Sequence, residues 1–192
     1  MAALIAGLVV FFTGHSVSLV APSWRMRQIA RMGIGPWKLA YSAISIAGFV
    51  LIVWGFGMAR AQGIVVWQPP VWTRHVAVAL TILGFVLIAA GYIPGTAIKT
   101  ALWHPMTAGV ALWALGHLIA NGGVADVVLF GAFFVWASIT FVARRRRDRD
   151  AGVVYAGGSV ARNAIAVAAG IVVSLLFALY LHGPLIGVRP LG

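Results

Sequence analysis

Six stretches of the chain run without charge for about the 20 residues that a membrane crossing needs, at 2–20, 39–59, 75–93, 101–120, 124–143 and 163–182. Each is continuously apolar rather than alternating, the pattern of a helix surrounded by lipid and protein rather than of a half-buried strand. Among all Lys, Arg and Asp residues only Asp126 falls inside a stretch, in its first turn. A helix satisfies its own backbone polar groups in hydrocarbon, so the pattern predicts an all-α polytopic membrane bundle of about six transmembrane helices and excludes a β-barrel. Pro105 removes a backbone donor and biases His104 away from helical angles, so the fourth helix is expected to begin near His104. Asn121-Gly122-Gly123 supplies residues that accept unusual backbone angles, closing a short hairpin that makes the fourth and fifth helices antiparallel neighbours. The first stretch lacks Lys or Arg before it and is followed by Pro22, so it reads as a retained helix rather than a cleaved signal. With no internal repeat and no long linker, residues 1–192 read as one domain.

Composition sharpens this picture. The chain is 62% apolar and 9% charged, with a mean hydropathy of +1.00, which excludes a soluble enzyme, a disordered chain and a disulfide-rich secreted module. Orientation follows from the cations. Arg25, Arg27, Arg31, Lys38, Lys99, Arg144 to Arg147, Arg149 and Arg162 fall in one set of loops, and Arg60, Arg74 and Arg189 in the other. The positive-inside bias therefore places both termini outside. The run Arg144 to Asp150 reads as a topology determinant resting on anionic headgroups, so membrane lipid is an expected partner and nucleic acid is not. Trp24, Trp37, Trp67, Trp72 and Trp103 suit the two interfacial belts.

There is no Cys and no Glu, which removes thiolate chemistry and paired-carboxylate catalysis. The candidate chemistry is left to five histidines: His15, His75, His104, His117 and His182. His75 and His182 fall near the outer surface and His104 near the inner, whereas His15 and His117 lie well inside spans, where a polar side chain points to function. His15 follows Phe11 and Phe12; His117 follows Trp113 by one helical turn. Hydrogen bonds to Ser16, Ser18 or Asn121 would give these imidazoles a purely structural role. Two imidazoles without nearby acids suit the axial positions of a b-type haem, which needs an apolar slot and no covalent attachment. Their depths differ by on the order of 10 Å unless the helices tilt or shift. Two haems would need a second helix carrying a matching pair, so one is expected. Asp126 either offsets the helix N-terminus, pairs with Arg74 or orients His117.

The ordered blocks Gly14-His15-Ser16, Ala21-Pro22-Ser23-Trp24-Arg25, Trp37-Lys38-Leu39-Ala40-Tyr41-Ser42, Trp72-Thr73-Arg74-His75, Lys99, His104-Pro105-Met106, Leu112 to Gly122, Ala125-Asp126 and Leu129-Phe130-Gly131 resemble the NnrU family of bacterial membrane proteins. The resemblance covers roughly residues 1–143. Trp103 stands where that family's pattern has a basic residue before His-Pro. The resemblance implies a multi-pass protein of the bacterial inner membrane with a role in denitrification, the family name pointing to nitrite and nitric oxide reduction. The family is in turn similar to the plant 15-cis-ζ-carotene isomerase, a membrane enzyme that uses haem b to isomerise a carotenoid double bond. By position, that enzyme's proposed haem-ligating histidines correspond to His15 and His117.

Three readings follow. The first is a haem b protein with ligands His15 and His117, acting in a nitric oxide or denitrification-linked process with a membrane reductase as partner. In it Trp113, Asn121, His104, His75 and Asp126 are supporting residues. The second is a haem-dependent, redox-gated isomerase of a carotenoid or other isoprenoid polyene, lined by Trp113, Phe130, Phe133 and Phe134. The third is a cofactor-free membrane assembly factor presenting Gly and Ala faces to partner helices.

Overall fold

The computed structural model describes residues 1–155 and 157–190. It is helical throughout its regular structure, with only isolated bridge pairs outside the helices among the described residues. Five helices are long and apolar enough to cross a membrane, and a sixth apolar helix is shorter. This is the helical membrane architecture the charge-free stretches predict. The contacts divide the chain into two compact units, Met1–Ile64 and Val65–Gly192.

The first unit holds α1 (Ala2–Val20), α2 (Pro22–Met32) and α3 (Ile34–Arg60). α1 and α3 run antiparallel in close contact, and the register is set by glycines of α3 that meet the backbone of α1. A Cβ on Gly48 would lie 2.9 Å from the amide nitrogen of Phe11, and one on Gly55 would lie 2.7 Å from the Cα of Leu4. In the other direction, a Cβ on Gly7 would lie 2.6 Å from the nitrogen of Ile52. Small residues let helix backbones approach where no hydrophobic effect drives association in lipid. α2 is an addition to the sequence reading: Pro22 opens it at the first helical position and Gly33, at φ +87°, ends it. Its Arg25, Arg27 and Arg31 keep it out of any search for charge-free runs.

The second unit holds α4 (Thr73–Tyr92), α5 (Ala97–Leu102), α6 (Pro105–Ala120), α7 (Val124–Asp150), α8 (Val160–Leu176), a π-helical turn (Phe177–Leu181) and α9 (His182–Ile186). α4 packs on both α6 and α8, and α6 packs on α7. Gly84 and Gly109 face each other where α4 crosses α6; a Cβ on Gly84 would meet the carbonyl oxygen of Gly109 at 2.7 Å. The expected fourth span, 101–120, is broken at its start. His104 sits at φ −123°, ψ +58° as the N-cap of α6, the effect expected of Pro105 on its predecessor. Trp103 adopts φ +65°, ψ −50°, and the amide of His104 donates to the carbonyl of Leu102 at 2.7 Å, making a γ-turn of the rarer, strained hand. α7 continues past position 143 through the arginine run, since arginine is a good helix former and its charged end reaches out of the apolar layer.

The turns beside α5 and α8 are tied to one another. Thr96 is fully buried; its hydroxyl accepts from the amide of Lys99 at 3.1 Å and donates to the carbonyl of Ala90 at 3.2 Å. The amide of Ser159 donates to the carbonyl of Gly95 at 2.9 Å, and an Arg162 guanidinium nitrogen donates to that of Pro94 at 2.9 Å. At the other end of the unit, the amide of Val66 donates to the carbonyl of Gly122 at 2.7 Å, seating the Trp67 segment on the α6–α7 hairpin.

Candidate functional site

His15 and His117 belong to different units and share one local construction. In α1, Nδ1 of His15 donates to the carbonyl of Phe11, one turn earlier, at 2.8 Å. In α6, Nδ1 of His117 donates to the carbonyl of Trp113, also one turn earlier, at 2.9 Å. A carbonyl oxygen only accepts, so in each neutral ring the proton lies on Nδ1 and the lone pair on Nε2. Such a hydrogen bond fixes the tautomer and orientation that a metal-ligating imidazole needs.

Both rings are walled by aromatics. Phe11 stacks on His15 with centroids 4.0 Å apart, and Tyr41 of α3 lies 5.3 Å away. His117 meets Phe130 of α7 at 4.5 Å and Trp113 at 5.2 Å. Trp113 touches Phe130 and Phe133 edge-on at 5.2 and 5.5 Å. Of the four expected polyene-lining aromatics, Trp113 and Phe130 contact the His117 ring and Phe133 joins them through Trp113; Phe134 makes no ring contact among the described residues.

The supporting residues divide. Nδ2 of Asn121 donates to the backbone carbonyl of His117 at 2.8 Å, closing the end of α6 rather than touching the imidazole. A carboxylate oxygen of Asp126 accepts from the amide of Gly123 at 3.2 Å, the N-terminal capping role. His75 is exposed in the first turn of α4. His182, on the turn after the π-helical segment, donates from Nδ1 to the carbonyl of Val188 at 2.7 Å.

His104 belongs to another cluster, in a linkage invisible in the sequence. Its Nε2 lies 2.9 Å from a carboxylate oxygen of Asp148, the same oxygen that accepts from the Tyr155 hydroxyl at 2.7 Å. Tyr155 stacks on Trp103 at 5.5 Å with the rings 25° apart, and the Arg145 guanidinium lies 5.5 Å from the Trp103 ring centre. Burial holds the His104 imidazole below the usual histidine range, with Arg144 and Arg147 acting in the same direction, and Asp148 only partly opposes them. The His104–Asp148 contact is thus read as a neutral N–H donating to a carboxylate rather than a pair of full charges. Burial, and then the Asp148 carboxylate, push the Tyr155 phenol up to about 12. The signal for this clamp was an acid set within a run of arginines; its partners lie 44 positions back and 7 positions on.

Comparison with curated proteins and with solved structures returns no match. The model of the family described as NnrU protein, however, matches residues 3–190, extending the resemblance from position 143 past the last helix to position 190. The spans, the His15 and His117 neighbourhoods and the His104-Pro105 break all fall within that match, and the chain belongs to the NnrU family.

Proposed function

We propose that in this NnrU-family membrane protein His15 and His117 would hold one haem b, and that the protein serves a nitric oxide or denitrification-linked process in the bacterial inner membrane. The observation that carries the reading is the shared ring construction: Nδ1 anchored to the carbonyl one turn back in both helices, at 2.8 and 2.9 Å, with Nε2 bearing the lone pair. The donor set fits the group, since b-type haem takes neutral imidazoles in an apolar slot. When bound, haem b supplies a redox-active iron able to take nitric oxide as a ligand. The anchoring carbonyls of Phe11 and Trp113 orient the rings and raise the basicity of Nε2. Phe11, Phe130 and Trp113 keep water from them.

The test is haem content by pyridine haemochrome in purified wild type, His15→Ala and His117→Ala proteins, with nitric oxide difference spectra of the reduced samples. Loss of haem from both variants supports the reading; full occupancy in both overturns it. The contact of Trp113, Phe130 and Phe133 beside His117 favours a second reading, in which flat rings line a path for a polyene and the activity is isomerisation. Incubating haem-loaded protein with a tri-cis carotenoid under reducing conditions tests it, an unchanged isomer composition being the contrary result. A haem-free protein that still supports reductase assembly after both histidines are replaced would favour the assembly-factor reading.

A further inference from the structure

The inner cluster of His104, Asp148 and Tyr155 is ordered in a way that suits proton transfer as well as clamping. Of the four tyrosines in the chain, Tyr155 is the one, among the described residues, whose hydroxyl is bonded to an acid, donating to Asp148 at 2.7 Å. A phenol that gives up an electron becomes a strong acid, so its oxidation is easy only where a base takes the proton in the same event. Pushed up to about 12, the phenol keeps its proton at physiological pH, so no phenolate is there to be oxidised in its place. The carboxylate is held ready to accept. One of its oxygens takes Nε2–H of His104 at 2.9 Å beside the Tyr155 hydroxyl, and the other lies 3.7 Å from Nε of Arg147. The His104 and Asp148 side chains are only 16% and 13% exposed, so a proton passed to Asp148 stays within reach of the phenol oxygen.

The surroundings also decide which ring holds the oxidised state. Trp103 stacks on Tyr155 with ring centres 5.5 Å apart, on a backbone at φ +65° that no other described residue but glycine shares. Strain of this kind persists where the surrounding structure fixes it, and it clusters at functional sites. The Arg145 guanidinium lies 5.5 Å from the centre of the Trp103 ring, and its charge opposes formation of an indole radical cation. Oxidised Tyr155, having passed its proton to Asp148, is neutral and escapes that penalty.

We propose that Tyr155 is a redox-active tyrosine that gives one electron to a small uncharged radical arriving from the lipid, while its proton passes to Asp148. The O–H bond of the phenol breaks and an O–H bond forms on the carboxylate. The oxidant takes the electron and becomes an anion, as nitrogen dioxide becomes nitrite. The products are a neutral phenoxyl radical, a neutral carboxylic acid and that anion, so one negative charge stands on each side. An electron from a reductant such as ascorbate restores the phenol, the proton returning from Asp148. The class of oxidant follows from the site: five arginines between positions 144 and 149 repel a cation, and the cluster lies where α7 leaves its apolar stretch. Neither His15 nor His117 takes part, so the inference stands apart from the haem reading.

The experiment is pulse radiolysis of the full chain in detergent, with nitrogen dioxide generated from nitrite, following the phenoxyl absorption and the freeze-quenched electron paramagnetic resonance signal. Wild type is expected to give a phenoxyl radical that ascorbate removes, and Tyr155→Phe, which keeps the stack on Trp103, is expected to lose it. Asp148→Asn should slow radical formation by about a hundred-fold, the lower end of what a positioned proton acceptor contributes. His104→Phe removes a donor from the carboxylate and leaves a stronger base, so formation should speed up by roughly three-fold, part of the tenfold or more that a hydrogen bond to a charged group is worth. A phenoxyl signal undiminished in Tyr155→Phe overturns the proposal, as does a signal carried by an indole in wild type. An unchanged rate in Asp148→Asn also overturns it. So does slowing in His104→Phe as large as in Asp148→Asn, because the cluster would then act only as a clamp.

Discussion

The close approach of α1 and α3 can be tested by the same substitution at two glycines of α3. A Cβ on Gly48 would lie 2.9 Å from the nitrogen of Phe11 and 3.0 Å from its Cα and Cβ. Ordinary carbon contacts begin near 3.5 Å, so the backbones must part by roughly 0.5 Å or more. Overpacking of this kind costs about 1–3 kcal/mol, offset by the ~0.5–1 kcal/mol that alanine gains over glycine within a helix. The net loss is about 1–2 kcal/mol, which in a chain of this size lowers Tm by roughly 3–6 °C. Gly57 meets nothing within 4 Å, so Gly57→Ala should keep only the helix gain and raise Tm by roughly 1–3 °C. The assay is thermal unfolding of both purified variants in one detergent. Because Phe11 both anchors Nδ1 of His15 and stacks on its ring, Gly48→Ala should also lower haem content, and Gly57→Ala should not. Equal melting temperatures for the two variants would refute the packing argument.

The inner clamp should depend on pH. His104 has its folded value lowered by burial, so the unfolded or opened state binds more protons over the window just below the ordinary value of about 6.5. Stability of the clamp is therefore full above that window and falls as pH drops through it. The protection factors of the amides of residues 148–155, with exchange corrected for the intrinsic rate at each pH, should fall below about pH 6.5, and His104→Gln should remove the dependence; protection that stays flat with pH in wild type contradicts this. Tyr155→Phe keeps the ring on Trp103 but deletes the hydroxyl that Asp148 accepts, so it should accelerate exchange in the same segment at neutral pH, with unchanged protection as the contrary result. Asp126→Ala removes the acceptor for the Gly123 amide and should cost about 1 kcal/mol, seen as a Tm fall of roughly 2–4 °C, with an unchanged Tm as the contrary result.

The spans were legible because lipid imposes a simple rule on their composition: α1 runs from Ala2 to Val20, the limits of the first charge-free stretch. Where charge rather than apolarity accompanies a helix, the same rule fails. α2 was hidden by its arginines, although Pro22 and the glycine at position 33 were readable signs of a start and a stop. α7 outruns its apolar stretch for the same reason. The effect of Pro105 on His104 could be read locally, whereas the γ-turn at Trp103 could not, since its stacking on Tyr155 comes from 52 positions away. His15 and His117 were singled out by their depth within the charge-free stretches. Their shared hydrogen bonds to the carbonyl one turn back needed coordinates, because a ring's tautomer depends on which nitrogen meets an acceptor.

The central claim is most directly tested by the absorption spectrum of the detergent-purified full chain, oxidised and then dithionite-reduced, with haem type fixed by pyridine haemochrome on the same sample. The account predicts a Soret band and sharp reduced α and β bands of b type, lost when His15 or His117 becomes alanine. A protein that folds normally yet shows no haem bands, even after reconstitution with haem, would contradict it and leave both imidazoles as packing groups tied to their own helices.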